Sequence, residues 1–308
     1  MAFPIKLNTK NLLSISDLSA EEIINIINLA KDFKNKNLKI DLENKILGMI
    51  FDKSSTRTRV SFQVAMSRLG GTTIELNPQT SQIGRGEPIR DTARVLSRYC
   101  DAIIIRTFKH SIIEEYSQWS TKPVINALTD LEHPCQALAD FLTIQEEFGQ
   151  LKDLVLTFVG DGNNVANSLI LCGALLGLKV IIACPEGYEP KAFIINQAIK
   201  MSKNKNFLEI TNNPIQAASK ANILYTDVWS SMGEESKKDK KDKDFEGFSI
   251  DKNLLHHADR NAIVLHCLPA YRGKEITEEV IESKQSRIFE QAENRMHAQQ
   301  ALLASLLS

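Results

Sequence analysis

From Ile46 onward the chain alternates short apolar runs rich in β-branched residues with stretches whose apolar side chains recur at helical spacing. Few folds accommodate that alternation. Strands separated by helices pair in parallel, and the crossovers then cover both faces of the sheet. The strand-like runs are 46–51, 72–76, 102–105 and 124–127, then 154–159, 179–183, 207–210, 223–226 and 263–266. Ahead of them, Ser19-Ala20-Glu21-Glu22 reads as a capping box leading into Ile23, Ile26, Ile27, Ala30 and Phe33. A long helix is expected to start at Pro134, whose ring suits the first helical position, and to stop at Gly149. Further helical patterns occupy 164–176 and 191–201. A chain of 308 residues is long enough for two cores. The expectation is α/β, two lobes, each a parallel sheet with helices on both faces, and an active site in the interlobe cleft. Residues 1–148 form the first domain, 149–290 the second, and 291–308 a helix returning to the first.

Charge narrows the functional classes. The formal net charge is −1, so no basic excess supports nucleic-acid or membrane-surface binding. No apolar run approaches the ~20 residues of a bilayer span, and no secretory signal is visible at Met1-Ala2-Phe3-Pro4-Ile5-Lys6. The five cysteines include no C-x-x-C pair; Cys100, Cys172 and Cys184 sit in apolar segments and read as buried reduced thiols, which places the protein in the cytosol. One low-complexity block, 237–244, alternates Lys and Asp without an apolar residue and is expected to be a solvated loop, a candidate lid following Ser230-Ser231-Met232-Gly233.

Ligands of open α/β sheets bind beyond the carboxyl ends of the strands, and the unusual residues gather there. Phe51 leads into Ser54-Ser55-Thr56-Arg57-Thr58-Arg59, Ile105 into Arg106, and Ala127 into the turn holding His133-Pro134-Cys135-Gln136. In the second series Val159 leads into Gly160-Asp161-Gly162-Asn163-Asn164, Thr226 into Asp227, and Leu265 into His266-Cys267-Leu268-Pro269. The 54–59 turn hands a strand to a helix, whose first N–H groups and macrodipole favour an anion; Arg57 adds a fork matched to phosphate oxygens. His133 and Gln136, one turn apart at a helix start, offer two donors to a carbonyl oxygen. Cys135 between them is filler; His110, His256 and His257 read as surface or loop residues, and no spacing suggests a metal site. The 160–166 segment partly imitates a dinucleotide fingerprint, but Val165 occupies the third glycine position, so a nicotinamide site is disfavoured. Asparagines at a helix start can instead hold a carboxylate.

Ser55-Thr56-Arg57-Thr58, Arg106, His133-Pro134-Cys135-Gln136 and His266-Cys267-Leu268-Pro269 resemble the signatures of the aspartate/ornithine carbamoyltransferase family, in order along nearly the whole chain. Asp227-Val228-Trp229-Ser230-Ser231-Met232-Gly233 resembles the ornithine-binding loop of the members that act on ornithine. The resemblance implies transfer of the carbamoyl group of carbamoyl phosphate to the δ-amino group of L-ornithine, giving L-citrulline and phosphate, with no cofactor or metal. It implies a cytoplasmic homotrimer with shared sites. Ser55, Thr56, Arg57, Thr58 and Arg106 would hold the phosphate; Thr58, His133, Gln136 and Arg295 would surround the carbamoyl group, with Cys267 and Leu268 nearby. Gln82 would reach carbamoyl phosphate across a subunit boundary. Asn164, Ser231 and Met232 would lie near the carboxylate and amino groups of ornithine, and Asp227 and Cys267 would contact its amino groups. Arg106, His133, Gln136, Cys267 and Arg295 are the expected catalytic set. Ala270 stands where members often carry arginine, leaving Arg272 as a possible substitute. The amine's proton goes to solvent from a desolvated bound amine, to the leaving phosphate, or to a Cys267 thiolate. Competing readings are a carbamoyltransferase for another amine (putrescine or an acylated ornithine) and a non-catalytic phosphate-metabolite binding protein.

Overall fold

The computed structural model describes residues 4, 6–78, 81–230 and 238–308. The chain divides into two compact units, Met1–Leu142 with Glu293–Ser308, and Thr143–Ala292. Each is built on an all-parallel sheet with helices on both faces, as the strand–helix alternation predicts.

In the first unit α1 (Ala20–Lys34) opens on the expected capping box: Ser19 Oγ accepts the Glu22 N–H and the Glu22 carboxylate accepts the Ser19 N–H. The strands β1 (Ile46–Phe51), β2 (Thr72–Leu76), β3 (Ala102–Arg106) and β4 (Val124–Leu128) assemble in the order β2-β1-β3-β4. The connecting helices are α2 (Arg57–Arg68), α3 (Ile89–Tyr99) and α4 (His110–Trp119). Apolar side chains of β1, β3 and β4 pack with Ala93 and Leu96 of α3 and Ile113 and Tyr116 of α4 into one core. Then α5 (Pro134–Phe148) ends before Gly149, whose φ of +73° suits a glycine there.

The second unit has five strands, β5 (Val155–Val159), β6 (Lys179–Ala183), β7 (Leu208–Thr211), β8 (Ile223–Thr226) and β9 (Ile263–His266), in the order β7-β6-β5-β8-β9. Its helices are α6 (Asn164–Leu176), α7 (Ala192–Met201), α8 (Pro214–Ala218), α9 (Lys238–Asp244), α10 (Lys252–His257) and α11 (Glu278–Ile281). The last helix, α12 (Ile288–Leu307), starts earlier than residue 291, and from Glu293 it belongs to the first unit.

The charged run departs from expectation. Instead of a solvated loop, Lys238–Asp244 is a packed helix. Lys241 is buried, its Nζ 2.6 Å from Asp161 Oδ2; Asp242 pairs with Lys274, and the Tyr188 hydroxyl donates to Asp244 at 2.7 Å. Each inward charge meets a counter-charge, and Phe245 and Phe248 just beyond supply the apolar anchor that the run lacks.

Both sheets reverse winding direction at a definite place. In the first unit that switch lies between β1 and β3, whose ends Phe51 and Arg106 are in register. In the second it lies between β5 and β8. Crevices at such points are where open α/β sheets take ligands.

Candidate active site

The first cluster grows from the ends of β1, β3 and β4. After β1 the chain turns into α2, and Ser55 Oγ, not the Thr56 hydroxyl, accepts the Thr58 N–H at 3.2 Å. Thr56, at the N-cap, makes no side-chain cap hydrogen bond, so its hydroxyl is not spent on the helix. Arg57 is half-buried, and its guanidinium bonds to no other described residue although its Nε is buried. Arg59, two residues on, is committed to Glu75 at 2.9 Å.

Thr58 is the hub. It is 1% exposed, and its Oγ1 accepts from Arg295 Nη2 at 2.5 Å and Arg106 Nη1 at 3.4 Å. Both arginines are buried, one delivered by the end of β3 and the other by α12. His133 is buried before the first turn of α5; burial holds its imidazole well below its ordinary pKa, and Arg295 and Arg106 push the same way. It is a neutral imidazole, able to donate from one nitrogen. Gln136, one turn on and also buried, donates its Nε2–H to Asp140 Oδ1 at 2.7 Å, and its Oε1 has no partner. One Nε2–H is thereby spent on Asp140 and the second stays available to a carbonyl, while the orphan Oε1 adds an acceptor that the sequence did not suggest. Cys135 behaves as filler, its thiol pushed up to about 12 by burial and donating to the Asn126 carbonyl at 3.4 Å. Gln82 is exposed, and among the described residues no hydrogen bond joins it to Thr58, Arg106, His133 or Arg295.

The second cluster gathers at the ends of β5, β8 and β9. Gly162 is obligatory, since a Cβ there would lie 2.3 Å from the Pro190 nitrogen. Asn163 caps α6, accepting from the Val165 and Ala166 N–H groups, and its Nδ2 donates to Asp227 Oδ2 at 2.8 Å. The Cys267 thiol donates to Asp227 Oδ1 at 3.0 Å. A buried carboxylate is thus gripped on both oxygens, each with a lone pair left for a cation. Asn164 is the half-buried first residue of α6. Ser231 and Met232 lie outside the described residues.

Asp227, His266 and Cys267 place ligand-type atoms within 4.8 Å of one another. The imidazole does not fit a metal as arranged: Nδ1 accepts the Leu268 N–H at 2.8 Å and Nε2 faces Glu275 Oε1 at 3.1 Å. Glu275, buried, also accepts the Tyr271 N–H at 2.6 Å, so His266 and Glu275 brace the turn that carries Cys267 and Leu268. Arg272 pairs with Glu278 and Glu282.

Asn163 was read with Asn164 as a possible carboxylate holder, and the structure uses it to cap α6 and to donate to Asp227. Three residues of these clusters escaped sequence reasoning. Asp140 sits four residues beyond Gln136 and so on the same helix face. Lys241 and Glu275 had no signal, because their partners lie 80 and 9 residues away with no local pattern linking them.

Models of the two domains of one family match the chain in order. The carbamoyl-P binding domain of aspartate/ornithine carbamoyltransferase matches residues 10–146, and the Asp/Orn binding domain matches residues 152–306. The ornithine carbamoyltransferase of Prochlorococcus marinus strain MIT 9312 is 71% identical over 308 residues, covering 100% of both chains. That of Nostoc punctiforme is 55% identical over 298 residues, 97% of each. Among solved structures, ornithine carbamoyltransferase from Pyrococcus furiosus superposes with a TM-score of 0.92 at 48% identity, covering 97% of each chain. The enzyme from Gloeobacter violaceus gives 0.89 at 46% identity, over 97% of this chain and 99% of that one. Two domain models spanning the chain in sequence, and relatives matched over their full length, place it: the chain belongs to the aspartate/ornithine carbamoyltransferase family.

Proposed function

We propose that the protein transfers the carbamoyl group of carbamoyl phosphate to the δ-amino group of L-ornithine, giving L-citrulline and phosphate. The observation that carries this reading is the neutral, buried His133 beside two guanidinium groups that converge on Thr58. Arg57, Arg106, Ser55, Thr56 and the start of α2 hold the phosphate. Thr58, His133 and Arg295 donate to the carbamoyl oxygen, where negative charge builds as the amine nitrogen attacks the carbon. Neutral His133 suits that role, because it donates a hydrogen bond without adding a third charge beside Arg106 and Arg295.

In the second unit, Asp227 takes an ammonium of ornithine, with Asn163 and Cys267 fixing its carboxylate. Asn164, with Ser231 and Met232, serves the carboxylate and amino groups. The new C–N bond forms as the C–O bond to phosphate breaks; phosphate leaves with that electron pair and takes the proton that the amine nitrogen must shed. Cys267 and Leu268 supply contacts at the carbamoyl end.

The same reading makes the protein a cytoplasmic homotrimer in which Gln82 completes a neighbour's site. Exposed Val60, Ile74, Val95 and Tyr99 in the first unit support an assembly. All five cysteines are free and buried, which suits a reducing compartment. Among the described residues no helix is long and apolar enough to cross a membrane. The test is direct: citrulline and phosphate should appear in equal amounts and only when both substrates are present. Purified, folded protein that makes neither would refute the proposal.

A further inference from the structure

Carbamoyl phosphate differs from acetyl phosphate by an NH₂ in place of a methyl, at nearly equal size. Donors to the carbonyl oxygen and grips on the phosphate serve both molecules alike. Discrimination therefore needs a fixed hydrogen-bond acceptor, which only the carbamoyl N–H can satisfy. In the first unit Thr58 Oγ1 already accepts from two guanidinium groups. An acceptor on the same helix start as His133 is Gln136 Oε1, buried and without a donor.

What sets that atom's orientation is Asp140. The two residues lie one turn apart on α5, both at most 1% exposed, with Gln136 Nε2 donating to Asp140 Oδ1 at 2.7 Å. With Asp140 Oδ1 accepting from the NH₂ end of the amide, the carbonyl end is turned away from Asp140. We propose that Asp140 is a positioning residue that locks the Gln136 amide with Oε1 as the acceptor for the carbamoyl N–H, and so makes the site select carbamoyl phosphate over acyl phosphates lacking that N–H. This rests on the function proposed above and deepens it: Asp140 touches no substrate and acts through Gln136. An amide free to turn over would present a donor half the time and lose the selection.

The test is binding by calorimetry, which needs no turnover, with three probes: carbamoyl phosphate, acetyl phosphate and inorganic phosphate. Asp140→Asn keeps the shape but can donate, so the pair can invert. Its affinity for carbamoyl phosphate should fall about tenfold or more, the range for losing a buried hydrogen bond, while acetyl phosphate and inorganic phosphate move less than about twofold. Gln136→Met should collapse the same preference, and adding Asp140→Asn to it should change the ratio no further. Equal weakening of all three probes would reduce Asp140 to a structural role and overturn the inference, as would an unchanged ratio in Asp140→Asn. So would wild-type protein that binds carbamoyl and acetyl phosphate equally, even if ornithine-dependent citrulline formation, measured separately, upheld the function.

Discussion

Arg57 and Arg59 lie two residues apart in one turn and have opposite surroundings. Arg57 has no side-chain partner among the described residues, while Arg59 is held by Glu75 at 2.9 Å and lies over the Phe51 ring. Arg57→Ala removes a guanidinium whose two charge-assisted hydrogen bonds to phosphate are worth about 1.5–3 kcal/mol each. Arg106 and the first N–H groups of α2 compensate in part. A net loss of about 3 kcal/mol remains, which is roughly 100-fold or more in kcat/KM for carbamoyl phosphate at 1.36 kcal/mol per tenfold. Arg59→Ala breaks an ion pair whose side chains are 39% and 29% exposed, worth about 0.5 kcal/mol after solvent screening. It should leave kcat/KM within about threefold. The assay is steady-state phosphate release at saturating ornithine with carbamoyl phosphate varied. Comparable losses in the two variants, or Arg57→Ala within about threefold of wild type, would refute the assignment of Arg57 to the leaving group.

Three further outcomes follow from the geometry. His133 stays neutral where an unfolded chain's histidine takes up a proton, so its contribution leaves stability intact above the ordinary value near ~6.5 and erodes it as pH falls from there toward its lowered folded value. The loss reaches about 1.4 kcal/mol by pH 5.5 for a fully depressed group, and His133→Gln should flatten that slope in urea melts; His297, shifted in the same direction, contributes to the slope that remains. Lys241→Met removes the ion-pair partner of the Asp161 carboxylate and should cost about 2–3 kcal/mol in the same melts, whereas Lys238→Ala, on the exposed side of the same helix, should stay within about 0.5 kcal/mol. Cys267→Ser keeps a donor to Asp227, so its KM for ornithine should change only a few-fold, while Asp227→Asn should raise it by about 100-fold or more; equal effects would contradict the role of Asp227 as the ammonium acceptor.

The architecture was legible because strand and helix periods differ and the polar residues stand at strand ends. Phe51, Ile105, Val159 and Leu265 each close an apolar run directly before a chemical group, and the topology turns those ends into two clusters. Arg295 came only from resemblance: its contact with Thr58 spans 237 residues, which no local pattern encodes. The charged helix was misread because composition describes what a segment can bury alone, and Lys241 is buried by Asp161, 80 residues away. Gln136 was read as a polar group at a helix start, but its orphan acceptor Oε1 was not foreseen. Which end of an amide is free depends on the neighbour that takes the other end, here Asp140.

In the proposed function Asp227 and its neighbours choose ornithine while the Thr58 cluster activates carbamoyl phosphate. An amine panel at fixed carbamoyl phosphate, read by phosphate release, tests it in one experiment with L-ornithine, putrescine, an N-acylated ornithine and L-aspartate. The account predicts L-ornithine as the preferred acceptor by about 100-fold or more in kcat/KM, with one citrulline formed per phosphate released. Preference for any of the other three, or phosphate release that ignores the amine, would contradict it.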